Sequence, residues 1–312
     1  MKASLRRWRS WIKARWADRT IDPLTAPFAD LVRLRMDRDR NPLLPVLADK
    51  LRVKDWARSH GVATAPVVWD GPRGQPIPWD DLPSSCYLKA NHGSGWNLRY
   101  HDGVITFFQD GKVPEAQRRV LTRSSAQSLA ESWLRRHFSL RQWAYKPIPR
   151  RVFVEKPLVD RTADELQDYR FYVFAGKVRA ANLGSPTLRQ RGQAAAWYAD
   201  GRPWVLTRGQ QILVEHPVPS TWEDLKRTAE TLAAGLDFVR VDLYDTSGGI
   251  VLGEMTFYPE AGGRNTPTAC PVFNQWMADC WREAWQELGW VPGRWRSAPG
   301  SLRLRPTDHR DR

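Results

Sequence analysis

Two periodicities interleave along the chain. In some stretches apolar and polar residues alternate, as on a half-buried strand; in others apolar residues recur every three or four positions, as on a helix. Residues 239–259, VRVDLYDTSGGIVLGEMTFYP, belong to the first kind. Their two runs are rich in Val, Leu, Ile, Phe and Tyr and flank Ser247-Gly248-Gly249, which predicts a hairpin. Closure about Gly248 pairs residues whose numbers sum to 496, so Asp242 faces Glu254 and Arg240 faces Thr256. Strand alternation puts all four on one face. Two carboxylates directly opposite each other repel. Either that face is solvated and water screens the charges, or a divalent cation lies between them and turns repulsion into affinity. Hard oxygen ligands suit Mg²⁺, which uses one or two protein carboxylates plus substrate phosphates. Arg240 would suit a phosphate in the same place.

The helical pattern appears in VLADKLRVKDWARSHGVATAPVV, which reads as a helix stopped by Gly61 and followed by a short strand. Lys50 and Lys54 fall at i and i+4 on it, by default a solvated pair. CYLKANHGSGWNLRYH reads as strand, glycine loop, strand, with Lys89 near the end of the first. Such a loop can lay backbone N–H groups over phosphates, although short Gly/Ser loops are usually plain turns. Residues 115–137 look helical. RRVFVEKPL is a buried strand ending at Pro157, whose Glu155 is either a sheet-rim carboxylate or a partner for an adenine amino group. DYRFYVFAGKVRAANL is a hairpin turning at Ala175-Gly176, with Asp168, Arg170 and Tyr172 on one face, lining a cleft or forming an ordinary ion-pair ladder. Ser220-Thr221-Trp222-Glu223 fits a capping box opening a helix that Gly235 stops. Antiparallel hairpins interleaved with helices predict an α+β fold rather than a doubly wound parallel sheet.

Composition narrows the class. With 312 residues, 42% hydrophobic and 26% charged, the chain is globular and long enough for one large domain or two smaller ones. No apolar run approaches the roughly 20 residues that cross a bilayer, and residue 1 onward lacks the pattern of a secretory signal. Cys86, Cys270 and Cys280 are an odd, scattered set with no CxxC, which argues against a disulfide framework or zinc site and for a reducing cytoplasm. The net charge of +14 is concentrated at the ends: +6 in residues 1–40 and +4 in residues 290–312. Basic ends attract polyanions. Leu5, Trp8, Ile12 and Trp16 form a helical stripe flanked by Lys2, Arg6, Arg9 and Lys13, as in a helix lying in a membrane interface or one docked on its own protein. Nucleic acid is the weaker partner, since no recognition motif accompanies the charge. The expected location is cytoplasmic, peripheral on the inner face of the membrane.

A lysine in a helix, a lysine before a glycine loop, a strand ending in Glu and a closing R-x-D…E-x-T hairpin, in that order, resemble the layout of an ATP-grasp enzyme. LADK, LKANHGSG, QWAYKPI, DYRFYVFAGK, FVRVDLYD and GEMTFYP are similar to the TupA-like ATP-grasp family, named for teichuronopeptide biosynthesis, over residues 37–258. The resemblance implies two α+β subdomains whose antiparallel sheets sandwich ATP. It implies Lys50 and Lys89 as ATP-phosphate lysines, and His92, Gly93, Ser94 and Gly95 as a flexible loop over the phosphates. Glu155 would meet the adenine N6, the backbone of Lys156 and Leu158 would complete the purine contacts, and Asp168 would meet the ribose. Arg240, with Arg170 as second candidate, would hold the transferring phosphate. Asp242, Glu254 and, through water, Thr256 would hold Mg²⁺ or Mn²⁺. Three features depart from the family pattern: E-x-T stands for E-x-N, Pro157 offers no N–H after Glu155, and the wording diverges beyond Pro259, where an acceptor site would begin.

The implied organisation is a basic amphipathic leader (1–40), a catalytic domain (41–292) with a glycine-loop part near 85–150 and a metal and phosphate part near 151–292, and a loose basic tail (293–312). The implied activity is an ADP-forming carboxylate–amine ligase that makes an amide through an acylphosphate. Its partners would be ATP, a carboxylate acceptor and an amine, one of them carried on a cell-surface polysaccharide or polyglutamate-type polymer. Two rivals stand beside it: a kinase phosphorylating a sugar hydroxyl on the same metal site, and a non-catalytic module binding a membrane or polyanion.

Overall fold

The structure, a computed structural model, describes residues 21–108, 119–204, 207–208, 211–263 and 270–295. The expected N-terminal stripe and residues 296–312 of the expected tail lie outside them. From the N-terminal side come α1 (Phe28–Arg38), α2 (Leu43–Ala48), α3 (Arg52–Ser59), β1 (Ala63–Thr64), β2 (Val67–Pro72), β3 (Ser85–Ala90), β4 (Asn97–His101) and β5 (Val104–Phe108). Then follow β6 (Val120–Leu121), α4 (Arg123–Leu134), β7 (Arg151–Glu155), β8 (Asp168–Phe174), β9 (Lys177–Gly184), α5 (Pro186–Gln190), β10 (Gln193–Ala194) and β11 (Ala196–Tyr198). The last are β12 (Thr207–Arg208), β13 (Gln211–Leu213), α6 (Trp222–Leu232), β14 (Phe238–Thr246), β15 (Gly249–Thr256) and α7 (Pro271–Glu287).

Two six-stranded sheets carry the α+β fold, in the orders β2-β7-β3-β4-β5-β6 and β1-β15-β14-β8-β9-β11. Every pair in the first is antiparallel, and in the second only the short β1 runs parallel to its neighbour. Each sheet has its own apolar core. Leu88, Val152 and Val154 pack with Ala126, Ala130 and Trp133 of α4. The second sheet is covered on both faces. Phe28 of α1 meets Phe238 edge-on at 5.1 Å, and Trp281 of α7 lies 4.7 Å from the same ring. On the opposite face Trp222 of α6 sits 5.2 Å from Phe171. Residue 40 therefore lies beyond a helix, α1, whose Phe28, Leu31 and Val32 are in the core. No helix among the described residues is long and apolar enough to cross a membrane.

Four local expectations are corrected. The single helix expected around Lys50 and Lys54 is broken, because the Asp49 carboxylate accepts the Leu51 amide at 2.9 Å and turns the chain between α2 and α3. Lys50 stands in that break, not one turn before Lys54. The capping box does not form: the Thr221 hydroxyl donates to Asp245 Oδ2 at 2.6 Å instead of capping α6. The hairpin keeps its expected register at Asp242–Glu254 and Arg240–Thr256, but a bulge between Asp242 and Leu243 shifts the turn half to Thr246–Gly249. Gly253 supplies the extra residue, and a Cβ there would meet the Tyr244 ring at 2.7 Å. The start of the expected loose tail is held, since Trp295 Nε1 donates to Asp237 at 2.9 Å.

Candidate active site

The hairpin's face is not solvated. Asp242 is 2% exposed, Arg240 8% and Thr256 9%. Neighbouring strands extend the facing pair into rows: Glu254, Asp242 and Arg170 lie opposite one another across β15, β14 and β8, and Thr256, Arg240 and Tyr172 form the next row. Cations separate the carboxylates. Arg240 Nε donates to Asp242 Oδ1 at 2.7 Å, and its second nitrogen reaches Asp242 Oδ2 at 2.6 Å, Thr256 Oγ1 at 3.2 Å and Glu254 Oε1 at 3.4 Å. Thr256 Oγ1 donates to Glu254 Oε1 at 3.1 Å. Lys50 Nζ closes the network on Glu254 Oε2.

The two acids are left electrostatically unlike. Burial pushes the Asp242 carboxyl up to about 7 against the pull of Arg240. Burial would raise Glu254 too, but Lys50 and Arg240 hold it well below the carboxylate range. Lys50 in turn rises above the ordinary lysine value, because Glu254 outweighs its burial. Beside them Arg170 Nε donates to Asp168 Oδ2 at 2.7 Å, while Asp168 Oδ1 is buried without a partner.

On the first sheet, alternation puts Lys89 of β3 and Glu155 of β7 on one face, and they pair. Lys54 joins them at 3.1 Å and also donates to the Ala65 carbonyl at 2.9 Å. It is 6% exposed, which overturns its reading as a solvated lysine. Glu155, opposed by burial but flanked by two ammonium groups, titrates below its ordinary value. The Lys156 amide is taken by the Pro66 carbonyl at 3.0 Å, and Leu158 is half-buried beyond Pro157. In the glycine loop Ser94 is exposed at the tip, Gly95 has φ +71°, and Gly93 is packed so closely that a Cβ would lie 2.9 Å from Trp96. His92 lies beneath this loop, fully buried between Asn91 and the Trp133 carbonyl, and burial lowers its imidazole to about 4. A neutral, enclosed ring supports the loop from below.

Two contributors escaped the sequence reading. Asn91 accepts the Lys50 amide on its carbonyl at 3.1 Å and donates its side-chain amide to Asp49 at 2.9 Å, so the glycine loop and Lys50 are tied together. Tyr145 is close enough to Glu254 and Lys50 for their charges to act on its hydroxyl, which burial first and Glu254 second push up to about 12. Both lie in segments, LKANHGSG and QWAYKPI, that carry the family resemblance; only the fold reveals what they touch.

No group of three or more His, Cys, Asp or Glu side chains that could hold a metal occurs among the described residues. The donor set is nonetheless of the kind Mg²⁺ uses with phosphates: two carboxylates in register and a threonine hydroxyl, all hard oxygens. Asp168 Oδ1 beside them is a buried oxygen without a partner. The residues fit the ion.

Among solved structures the chain is similar to the ATP complex of D-alanine–D-alanine ligase from Bacillus anthracis, with 12% identity over 78% of this chain and 66% of that one and a TM-score of 0.43. The Helicobacter pylori D-alanine–D-alanine ligase gives 14% identity, coverage of 77% and 61%, and a TM-score of 0.45. D-cycloserine synthetase gives 15%, 79% and 72%, and 0.41. The chain thus spans about two thirds of the length of these structures. No curated protein matches it. The model of the TupA-like ATP-grasp family matches residues 30–273. The chain belongs to the TupA-like ATP-grasp family, and with that membership come the ATP-grasp fold and ATP as its nucleotide.

Proposed function

We propose that this chain joins a carboxylate to an amine at the expense of ATP, and that one of the two is carried on an acidic cell-surface polymer of uronic acid or polyglutamate type. The observation that carries the ligase reading is the row of Glu254, Asp242 and Arg170, its central carboxylate buried, with Arg240 and Lys50 upon it. In the first step a carboxylate oxygen bonds to the γ-phosphorus, the bond from phosphorus to the bridging oxygen breaks, and ADP leaves. In the second the amine nitrogen bonds to the acyl carbon, phosphate leaves with the former carboxylate oxygen, and the nitrogen sheds a proton. Asp242, Glu254 and Thr256 would hold Mg²⁺, which would supply neutralisation of phosphate charge. Arg240 and Arg170, fixed by their own-strand carboxylates, would present guanidinium charge to the moving phosphoryl group. Lys89, Lys54 and the backbone of the glycine loop would hold the nucleotide phosphates, with Glu155, Lys156 and Leu158 at the purine and Asp168 at the ribose. The net charge of +14 supports an acidic polymer or an anionic membrane surface as the place of work.

An ADP-release screen of carboxylate and amine pairs, with mass spectrometry of the products, tests this. ADP release that requires both partners, with an amide as product, is expected. A stable phosphorylated sugar would instead make the chain a kinase.

A further inference from the structure

Unanswered positive charge also gathers away from the chain's ends. Residues 132–154 run from the end of α4 into β7 and hold six Lys/Arg and one His, with no Asp or Glu. The nearest acids in the sequence are engaged elsewhere: Glu131 accepts the Gly74 amide at 2.7 Å, and Glu155 pairs with Lys54 and Lys89. Arg151 is answered by Asp70, its Nε at 2.7 Å. Arg135, Arg136, Lys146 and Arg150 form no ion pair with a carboxylate among the described residues. By contrast Lys50, Lys54, Lys89, Arg170 and Arg240 each rest on one. The four lie near one another. Arg150 reaches His137 Nδ1 at 3.0 Å, and Arg136 lies 5.3 Å from the centre of the Trp96 ring. Burial first, then the charges of Arg150 and Lys146, lower the His137 imidazole. The carbonyl end of α4 accounts for Arg150, which donates to the Leu134 carbonyl at 3.1 Å. Arg135, Arg136 and Lys146 stay exposed, and like charges so gathered attract an anion.

The cluster borders the site already described. Phe138 packs against the glycine loop, so that a Cβ on Gly93 would meet its ring at 3.0 Å, and it meets Tyr145 at 5.3 Å. Lys146 follows directly on Tyr145, whose hydroxyl is acted on by Glu254 and Lys50. We propose that Arg135, Arg136 and Lys146, braced by Arg150, form the surface that holds the acidic polymer, meeting its successive carboxylates while the reacting end passes the glycine loop. This rests on the acidic-polymer reading and deepens it by giving the polymer a place. The guanidinium forks of Arg135 and Arg136 suit carboxylates, and a polymer carrying one on every unit engages several cations at once.

Fluorescence anisotropy of the full chain with labelled poly-L-glutamate tests the surface, with phosphatidylserine vesicles and a non-hydrolysable ATP analogue with Mg²⁺ titrated alongside. Replacing Arg135→Gln, Arg136→Gln and Lys146→Gln together should weaken polyglutamate at least about tenfold. Removing the same number of charges from the leader, by Arg6→Gln, Arg7→Gln and Arg9→Gln, should cost about threefold or less. Both triple variants should bind the ATP analogue as wild type does. The pair Arg135→Lys and Arg136→Lys keeps the charge and should stay within about twofold of wild type. Lys146→Gln alone, expected to cost about threefold, carries the test if the triple variant does not fold. Equal losses from the two triple variants, or a loss reproduced by the charge-keeping pair, would overturn the surface. So would a cluster-dependent loss of the ATP analogue or of vesicles in place of polyglutamate. Polyglutamate binding that survives the cluster's triple variant would overturn the surface alone, whereas a wild-type chain that binds no polyglutamate would overturn the acidic-polymer reading itself.

Discussion

Asp237 and Asp242 lie five residues apart, both 2% exposed, and both face arginine. Their surroundings differ in one respect. Asp237 is saturated: Oδ1 accepts Arg35 at 3.0 Å, and Oδ2 accepts the indole N–H of Trp281, Trp285 and Trp295 at 2.8, 3.0 and 2.9 Å. Arg35 also donates to Asp39 at 3.0 Å and to the Phe238 carbonyl at 2.7 Å. Both Asp237 oxygens are thus engaged, and this network joins α1, α7 and β14. Around Asp242 the count does not close. Its own carboxyl is pushed up to about 7, Asp168 Oδ1 has no partner, and the Glu254 side chain is 30% exposed. Both oxygens of Asp237 are engaged within the protein, whereas the Asp242 cluster keeps an unpartnered carboxylate oxygen and a half-exposed carboxylate that a ligand could reach.

Substitutions should separate the two networks. Asp242→Asn should cut ADP-forming turnover by about 10³-fold or more, about 4 kcal/mol in the barrier, with the fold intact by circular dichroism; wild-type turnover would remove Asp242 from the site. Asp237→Ala leaves Arg35 buried beside an incomplete partner set and should cost about 3–5 kcal/mol in denaturant unfolding. The folded fraction should still bind MgATP with wild-type affinity.

Acidity sharpens the contrast. Folding raises the Asp242 pKa above its unfolded value, so the stability this group contributes is full below about pH 4 and is lost as pH rises through about 7. Glu254, held low, works in the opposite sense: its contribution is present above its unfolded value of about 4.3 and falls away only in stronger acid. Asp242→Asn removes the first and keeps the second. Without ligand, the mutant's stability relative to wild type should therefore climb between about pH 4 and 7, by on the order of a few kcal/mol. A flat difference across a pH series of denaturant melts would contradict this. The smallest effect separates two lysines. Lys89→Ala should weaken ATP about tenfold with little change in melting temperature. Lys54→Ala should weaken it comparably and also lower the melting temperature, because Lys54 is enclosed and Glu155 would lose a buried partner.

The hairpin was legible because its glycine turn and its alternation are both local, and they fix which side chains face each other. The bulge was not: Gly253 reads as any strand glycine until the Tyr244 ring is seen beside it. Lys50 and Lys54 could be flagged as lysines of interest, but their partners Glu254 and Glu155 lie 204 and 101 residues away, beyond any periodicity argument. His92 was read with the glycine loop as one unit, whereas the ring packs beneath it. The capping box failed for a similar reason. Thr221 had a distant competitor, Asp245, that no four-residue motif reveals.

Lys50 has a consequence for supply. Resting on Glu254, it acts as a built-in stand-in for a cation, so folding does not wait for a metal. A chelator should leave the melting curve where it is while stopping turnover, and magnesium starvation would leave a stock of finished, idle protein that resumes work as soon as the ion returns.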